Sequence, residues 1–465
     1  MLLLLLAIAA TLASILLRFI PLWRNKWIGV DSFYHLIVSE DIREGNHSTP
    51  GDDHFFFRSG YLHPPLLHQI LSAFPKRHHR LLQYLGPIWN LSGGLFVWLA
   101  SVEILGWQPS LLVLALYLTT PIIIDSSWTL GSRPLANLLF VALLSLRYLE
   151  LGQPSLTAFV LTTALVMMIA LTHRLYTQIL ILVSLADFVF IGSFSLVLPM
   201  LAGFCLLLLS RTYRRVLRGH ISFVAAFSKM VSDRSLSEFV YLKMPNPADF
   251  LFNSPSVFAL LVLAILLGFP SSQEVTVLSI ALSVSILIFS IAWPFGQGYR
   301  HLAGLALPCA FYFVSLESGD TDLSFFIGMI LAVQLSFQII KTLRVLSPQL
   351  KYVVPENLLR SLGDLSKKAA LNRGIILVLP LNYSYAVAYF SQFRVLEGSG
   401  GEAAGAVFNN ILRRELKEEG LVQVLDRYDV SAVIFEFGLI REPYPSGFSL
   451  CCRHGDFACL FRDSD

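Results

Sequence analysis

A carboxylate and an imidazole stand four residues apart in the stretch Gly29-Val30-Asp31-Ser32-Phe33-Tyr34-His35-Leu36. On a helix that spacing sets His35 one turn from Asp31 on the same face. A carboxylate so placed can take a proton from an attacking hydroxyl as a general base. Capping explains Asp31 equally well, since Asp readily accepts the free N–H groups of a helix start. Phe33, Leu36 and Ile37 share the opposite face, so the stretch reads as a short amphipathic helix at a membrane surface.

Four further polar stretches lie between apolar runs: Asp125-Ser126-Ser127-Trp128, Gly131-Ser132-Arg133-Pro134, Leu171-Thr172-His173-Arg174, and Trp293 to His301 ending in Tyr299-Arg300-His301. Arg133, Arg174 and Arg300 with His173 and His301 suit a phosphate or pyrophosphate, which arginine grips through two parallel N–H groups. Taken singly, each arginine is more simply an interfacial anchor. Collected on one membrane face with Asp31, His35 and Asp125, they imply a shared polar cavity. His63 and His68, in Tyr61-Leu62-His63-Pro64-Pro65-Leu66-Leu67-His68, lack the His-x3-His spacing of one helix face and read as structural rather than as metal ligands.

The elements that must position these residues are mostly apolar. Of 465 residues 55% are hydrophobic and 14% charged, with a mean hydropathy of +0.66. This composition excludes a soluble globular chain, and the net charge of +3 gives no reason to expect a nucleic-acid partner. Met1–Ile20 lacks a basic start and a cleavage site, so it reads as a retained span. Further spans are expected near 81–105, 109–124, 135–151, 155–171, 175–191, 193–209, 257–269, 275–293, 301–316 and 323–340. The expectation is a mainly α, polytopic membrane domain over 1–343 with about eleven transmembrane helices and a long first loop, 21–80. A small soluble α/β domain over 344–465 should follow. In it, 374–380, 393–396 and 432–436 read as strands, 407–419 as a helix, and 448–453 with 457–462 as a terminal hairpin. Of the five cysteines, Cys452 or Cys451 is placed to bridge Cys459, and free thiols are the alternative. The Gly-rich piece 397–401 lacks a phosphate-loop pattern and reads as an ordinary loop.

A first span followed by "GVDSFYHL", then an acidic turn after the third span, resembles the glycosyltransferase C (GT-C) superfamily, within it the archaeal and bacterial relatives of the oligosaccharyltransferase catalytic subunit. "YLHPPLLH", "SRPL", "LTHR" and "GYRHL" look like turns of the same group. The resemblance covers roughly 1–340. It implies a membrane glycosyltransferase taking a sugar from a polyprenyl-phosphate donor with inversion. Asp31 would be base or metal ligand and Asp125 its support, with His35 beside them. Arg300, His301, Arg174, His173 and Arg133, or the Arg211–Arg218 cluster, would hold the lipid phosphate. Asp125-Ser126-Ser127 departs from the usual two-acid or acid–His form, which leaves a divalent cation (Mg²⁺ or Mn²⁺) an open expectation. No Trp follows Trp293, so the Trp-Trp-Asp acceptor motif is missing and transfer to Asn sequons is not expected.

The resemblance puts the Asp31 loop and the C-terminal domain outside the cytoplasm. The loop cations, nearly all on the Asp31 side, argue the reverse by the positive-inside rule; cations serving a phosphate site reconcile the two. An anionic-lipid transporter or flippase, an oligosaccharyltransferase-like enzyme, or a membrane scaffold are the alternatives. Paired loop carboxylates favour the enzyme, whereas transporters tend to carry mid-span polar groups on broken helices.

Overall fold

A computed structural model describes residues 1–463 apart from positions 26, 48–50, 58–62, 152–154, 233–246, 258, 260–273, 293–297, 316–320, 347–352, 369–373, 392, 399–402 and 441. Residues 258 and 260–269 of the expected span 257–269, the core of the Gly-rich piece, and Trp293 to Gln297 therefore lie outside the described residues.

Helix α1 (Leu2–Arg24) and the helices over 85–105, 174–191, 274–291 and 323–346 are long and apolar enough to cross a membrane. Two bent pairs, Trp107–Thr119 with Pro121–Ser127 and Val197–Leu209 with Arg211–Ser222, raise that number to as many as seven. Against an expectation of about eleven, the described residues carry five to seven. Ser132–Leu149 has Arg133 and Arg147 near its ends, and Leu156–Ala170 has only 15 residues.

The first bent pair breaks by 60° at Thr120-Pro121, where proline supplies no N–H. Buried side chains from two other helices satisfy the freed carbonyls. Leu118 O accepts from Arg18 Nη2 (2.8 Å) on α1 and from Gln338 Nε2 (2.7 Å) on the helix Thr321–Leu346. Gln334 accepts from Thr119 Oγ1 at 2.7 Å, and Lys341 Nζ donates to Pro121 O at 3.4 Å. Gln334, Gln338 and Lys341 recur every three to four residues and so form one polar stripe on an otherwise apolar helix. At the other end of the bundle, Arg147 is buried in a two-pronged ion pair with Asp187 (Nε–Oδ2 3.0 Å, Nη2–Oδ1 2.8 Å).

The C-terminal region forms a six-stranded sheet in the order β1-β3-β2-β4-β6-β5, from β1 (Phe55–Phe57), β2 (Ile375–Leu379), β3 (Arg394–Gly398), β4 (Val430–Glu436), β5 (Phe448–His454) and β6 (Phe457–Arg462). The first four in spatial order are parallel, and β6 and β5 close the sheet antiparallel as a hairpin. Strand β1 comes from the first membrane loop. Phe55 pairs with Val395, and Arg394 Nη2 donates to the carbonyls of Phe55 (3.3 Å) and Phe56 (3.2 Å). Phe57 stacks on Phe408 at 4.9 Å. Cys452 lies opposite Cys459 in the hairpin, and all five cysteines are free thiols.

Candidate active site

Helix α2 (Val30–Arg43) carries the Asp31/His35 pair, and its start differs from expectation. Gly29, at φ +87°, is the capping position, so Asp31 lies in the first turn, where its charge still favours the helix N-terminus. A Cβ at Gly29 would fall 2.7 Å from both Ser32 Oγ and Thr129 Cγ2, so only glycine fits there. Ser32 Oγ, buried, donates to Ile28 O (3.3 Å) and accepts from Leu130 N (3.0 Å). One hydroxyl thereby locks the helix start to the 129–131 turn. A Cβ on Gly131 would come 3.9 Å from His35 Nε2, so that turn abuts the imidazole.

Nor does α2 turn its apolar face outward. Residues Ser32 to Ser39 are all buried. The helix Ser384–Phe390 covers the face that was expected to meet lipid: Phe33 packs on Tyr389 (5.5 Å) and Phe390 (5.4 Å), and Tyr34 on Tyr385 (5.7 Å). The apolar residues found a protein partner more than 350 residues away in the chain instead of acyl chains. Asp31 remains exposed.

His35 Nδ1 stands 2.8 Å from His68 Nε2, on helix α3 (Leu66–Ser72), so one ring donates and the other accepts. Tyr34 sits among His63 (5.3 Å), His68 (6.2 Å) and Phe55 (6.2 Å). Burial pushes the His35 imidazole down to about 4, Asp31 opposing and Arg133 reinforcing that shift. Burial holds His63 and His68 well below the ordinary histidine range, with neighbouring imidazoles adding to it and, for His63, Arg174 as well. At neutral pH these rings are uncharged hydrogen-bonding groups.

The cations close the site from the other side. Leu66 N donates to Leu171 O (2.9 Å), tying α3 to the turn that carries His173 and Arg174. His173 Nδ1 accepts from Leu175 N at 3.1 Å and so starts the next helix. Burial lowers its pKa, and Arg133, Arg300 and Arg174 all lie close enough to lower it further. Asp31, His35, Arg133, His173, Arg174 and Arg300 are thus brought to one region, joined by His63 and His68. His301 is buried with its ring perpendicular to Phe289 at 4.9 Å. Asp125 is engaged elsewhere: its carboxylate is paired with the buried Lys341 ammonium, which also donates to Asn253 Oδ1 at 2.6 Å. Ser32, His68 and Tyr385 were missed as members of the site. Only His68 left a signal, as the second histidine of a Pro-Pro helix start.

Among the described residues, no group of three or more His, Cys, Asp or Glu is placed to hold a metal ion. Asp125, the second carboxylate expected beside Asp31, faces the Lys341 ammonium instead.

The sequence matches no protein-family profile and no curated protein. Solved structures do match. Oligosaccharyltransferase AglB from Archaeoglobus fulgidus, determined with Zn and sulfate, superposes with a TM-score of 0.58 at 13% identity, covering 93% of this chain and 68% of that one. ArnT from Cupriavidus metallidurans bound to undecaprenyl phosphate gives 0.60 at 11% identity, over 97% of each chain. The chain has the GT-C fold. Arabinofuranosyltransferase AftD from Mycobacteria agrees, with 0.52 at 13% identity over 99% of this chain and 40% of that one. The GT-C likeness extends past the membrane helices into the C-terminal sheet, since 97% of this chain is matched in ArnT.

Proposed function

We propose that the protein is a membrane glycosyltransferase that takes a sugar from a polyprenyl-phosphate-linked donor, with the site and the C-terminal sheet on the extracytoplasmic face. The observation that carries this reading is the meeting of an exposed carboxylate, neutral imidazoles and three arginines at one end of a GT-C bundle. The ArnT structure with undecaprenyl phosphate and an AglB structure with dolichol-phosphate support a lipid-phosphate donor for this chain.

On this reading the acceptor hydroxyl gives its proton to Asp31 as its oxygen bonds to the anomeric carbon from the face opposite the leaving group. The bond from that carbon to the phosphate oxygen breaks, its electron pair leaves with the lipid phosphate, and the configuration inverts. Arg300, Arg174 and Arg133 stabilise the departing anion through charge-assisted hydrogen bonds. His35 and His68, uncharged, orient Asp31 and the acceptor without competing for the phosphate. Asp125 acts through Lys341, which ties the 121–125 segment to the helix Thr321–Leu346, while Ser32 ties the 129–131 turn to α2.

The broken helix at Thr120-Pro121, with its buried polar stripe, favours a second reading, an anionic-lipid transporter. One experiment separates them. Purified protein is given a panel of polyprenyl-phosphate sugars and free lipid phosphate is measured. Release supports transfer; movement of the intact lipid between leaflets with no release supports transport.

A further inference from the structure

The chain turns by 107° between Val197–Leu209 and Arg211–Ser222, and the turn is built rather than loose. Arg214 donates to the terminal carbonyls of Leu208 (2.6 Å) and Leu209 (3.1 Å), while Ser210 Oγ accepts from Tyr213 N at 3.4 Å to start the second helix. The first helix shows Leu198, Leu201, Leu206, Leu208 and Leu209 on its exterior, as a lipid-facing helix does. A helix leaving such a span nearly at right angles runs along the interface.

Its two faces differ sharply. Tyr213 and Val216 are buried, and His220, one turn on, meets Gln178 of the helix Arg174–Ala186 (Nε2–Nε2 3.1 Å). Arg211, Arg214, Arg215 and Arg218, at i, i+3, i+4 and i+7, are all exposed along one stripe. Arg214 is partly used by the turn. Arg211, Arg215 and Arg218 have no acidic partner among the described residues. Three exposed guanidinium groups aligned on an interfacial helix complement the phosphates of a charged leaflet, each contributing on the scale of an interfacial cation.

We infer that Arg211, Arg215 and Arg218 form a docking stripe for the phosphate headgroups of anionic bilayer lipids. The stripe lies on the exposed face of its helix, opposite the buried Tyr213 and Val216, and its occupation steadies the helix that seats His220 beside Gln178. The inference does not depend on glycosyl transfer.

The test uses the full chain in nanodiscs of phosphatidylcholine alone or with phosphatidylglycerol, with no donor or acceptor, reading amide hydrogen exchange over 211–222. In wild type, the anionic discs should slow exchange in this helix by at least the roughly fivefold that one interfacial cation contributes. Raising salt to about 0.5 M should remove the difference through screening. R211Q/R215Q/R218Q should show no dependence on phosphatidylglycerol while exchange over 174–186 is unchanged. Equal protection in the two lipids, insensitivity to salt, or a dependence that survives the triple substitution would overturn the inference. The wild-type lipid and salt comparisons decide it even if the triple variant fails to fold.

Discussion

His35 Nδ1 and His68 Nε2 face each other at 2.8 Å, one from the first helix after α1 and the other from the far end of the same loop. A pair this close needs one neutral donor and one neutral acceptor; a proton on both rings would set two cations in contact. Burial lowers both pKa values, so the folded protein binds fewer protons than the unfolded chain once the pH drops below the ordinary histidine value of about 6.5. Stability should be full above that pH and fall as the pH is lowered toward about 4, the value to which His35 is held. The thermal midpoint of the purified protein, followed from pH 7.5 to 5, should therefore drop. His68→Gln should make the slope shallower; an unchanged slope would mean that this pair does not titrate as described.

Gly29 is the second point of sensitivity. Gly29→Ala puts a methyl 2.7 Å from Ser32 Oγ and Thr129 Cγ2 in a backbone conformation that L-residues avoid. The expected loss is about 1–3 kcal/mol, seen as a lower unfolding midpoint. Gly45, also at positive φ, has open space around it, so Gly45→Ala should bear the conformational strain alone and cost less.

The Asp125–Lys341 pair separates position from chemistry. Lys341 is buried and Asp125 half-exposed, so the carboxylate can turn to water while the ammonium cannot. Asp125→Asn should destabilise the protein by about 1–3 kcal/mol, discounted from a fully buried pair. Lys341→Met should cost less, and the double variant should recover part of the loss. If the double variant folds well and still transfers sugar, Asp125 positions the site through Lys341. A stable double variant without activity would give Asp125 a direct role.

Arg300 tests the phosphate end. Arg300→Lys keeps the charge and loses the planar fork, so donor affinity should fall by roughly tenfold or more with folding preserved. Donor binding in Arg300→Ala equal to wild type would remove the residue from the site.

The sequence made the β2, β4 and hairpin strands legible, because runs such as Ile375–Leu379 and Ala432–Phe435 are apolar without interruption. Strand β1 was invisible: three phenylalanines in a membrane loop acquire strand geometry only by pairing with β3, some 340 residues later. The same long-range packing turned α2 from a surface helix into a buried one, since Tyr385, Tyr389 and Phe390 cover it. Asp31 and His35 were readable from local spacing, whereas the His35–His68 bond depends on how a loop folds back. Lys341 escaped notice because one cation near the end of an apolar span looks like an anchor, and its partner lies on another helix.

The central claim is that Asp31 takes the acceptor's proton. Asp31 sits in the first turn of α2 and does not cap it, so Asp31→Asn keeps the shape and loses only a helix-dipole contribution of about 0.3–1 kcal/mol. Asn cannot act as a base at neutral pH. The direct measurement is the single-turnover rate of lipid-phosphate release from a polyprenyl-phosphate sugar by wild type and Asp31→Asn, with unfolding midpoints determined alongside. A fall on the order of 10²–10⁴-fold with nearly unchanged stability is expected for a lost general base. Release by Asp31→Asn at close to the wild-type rate would contradict the account.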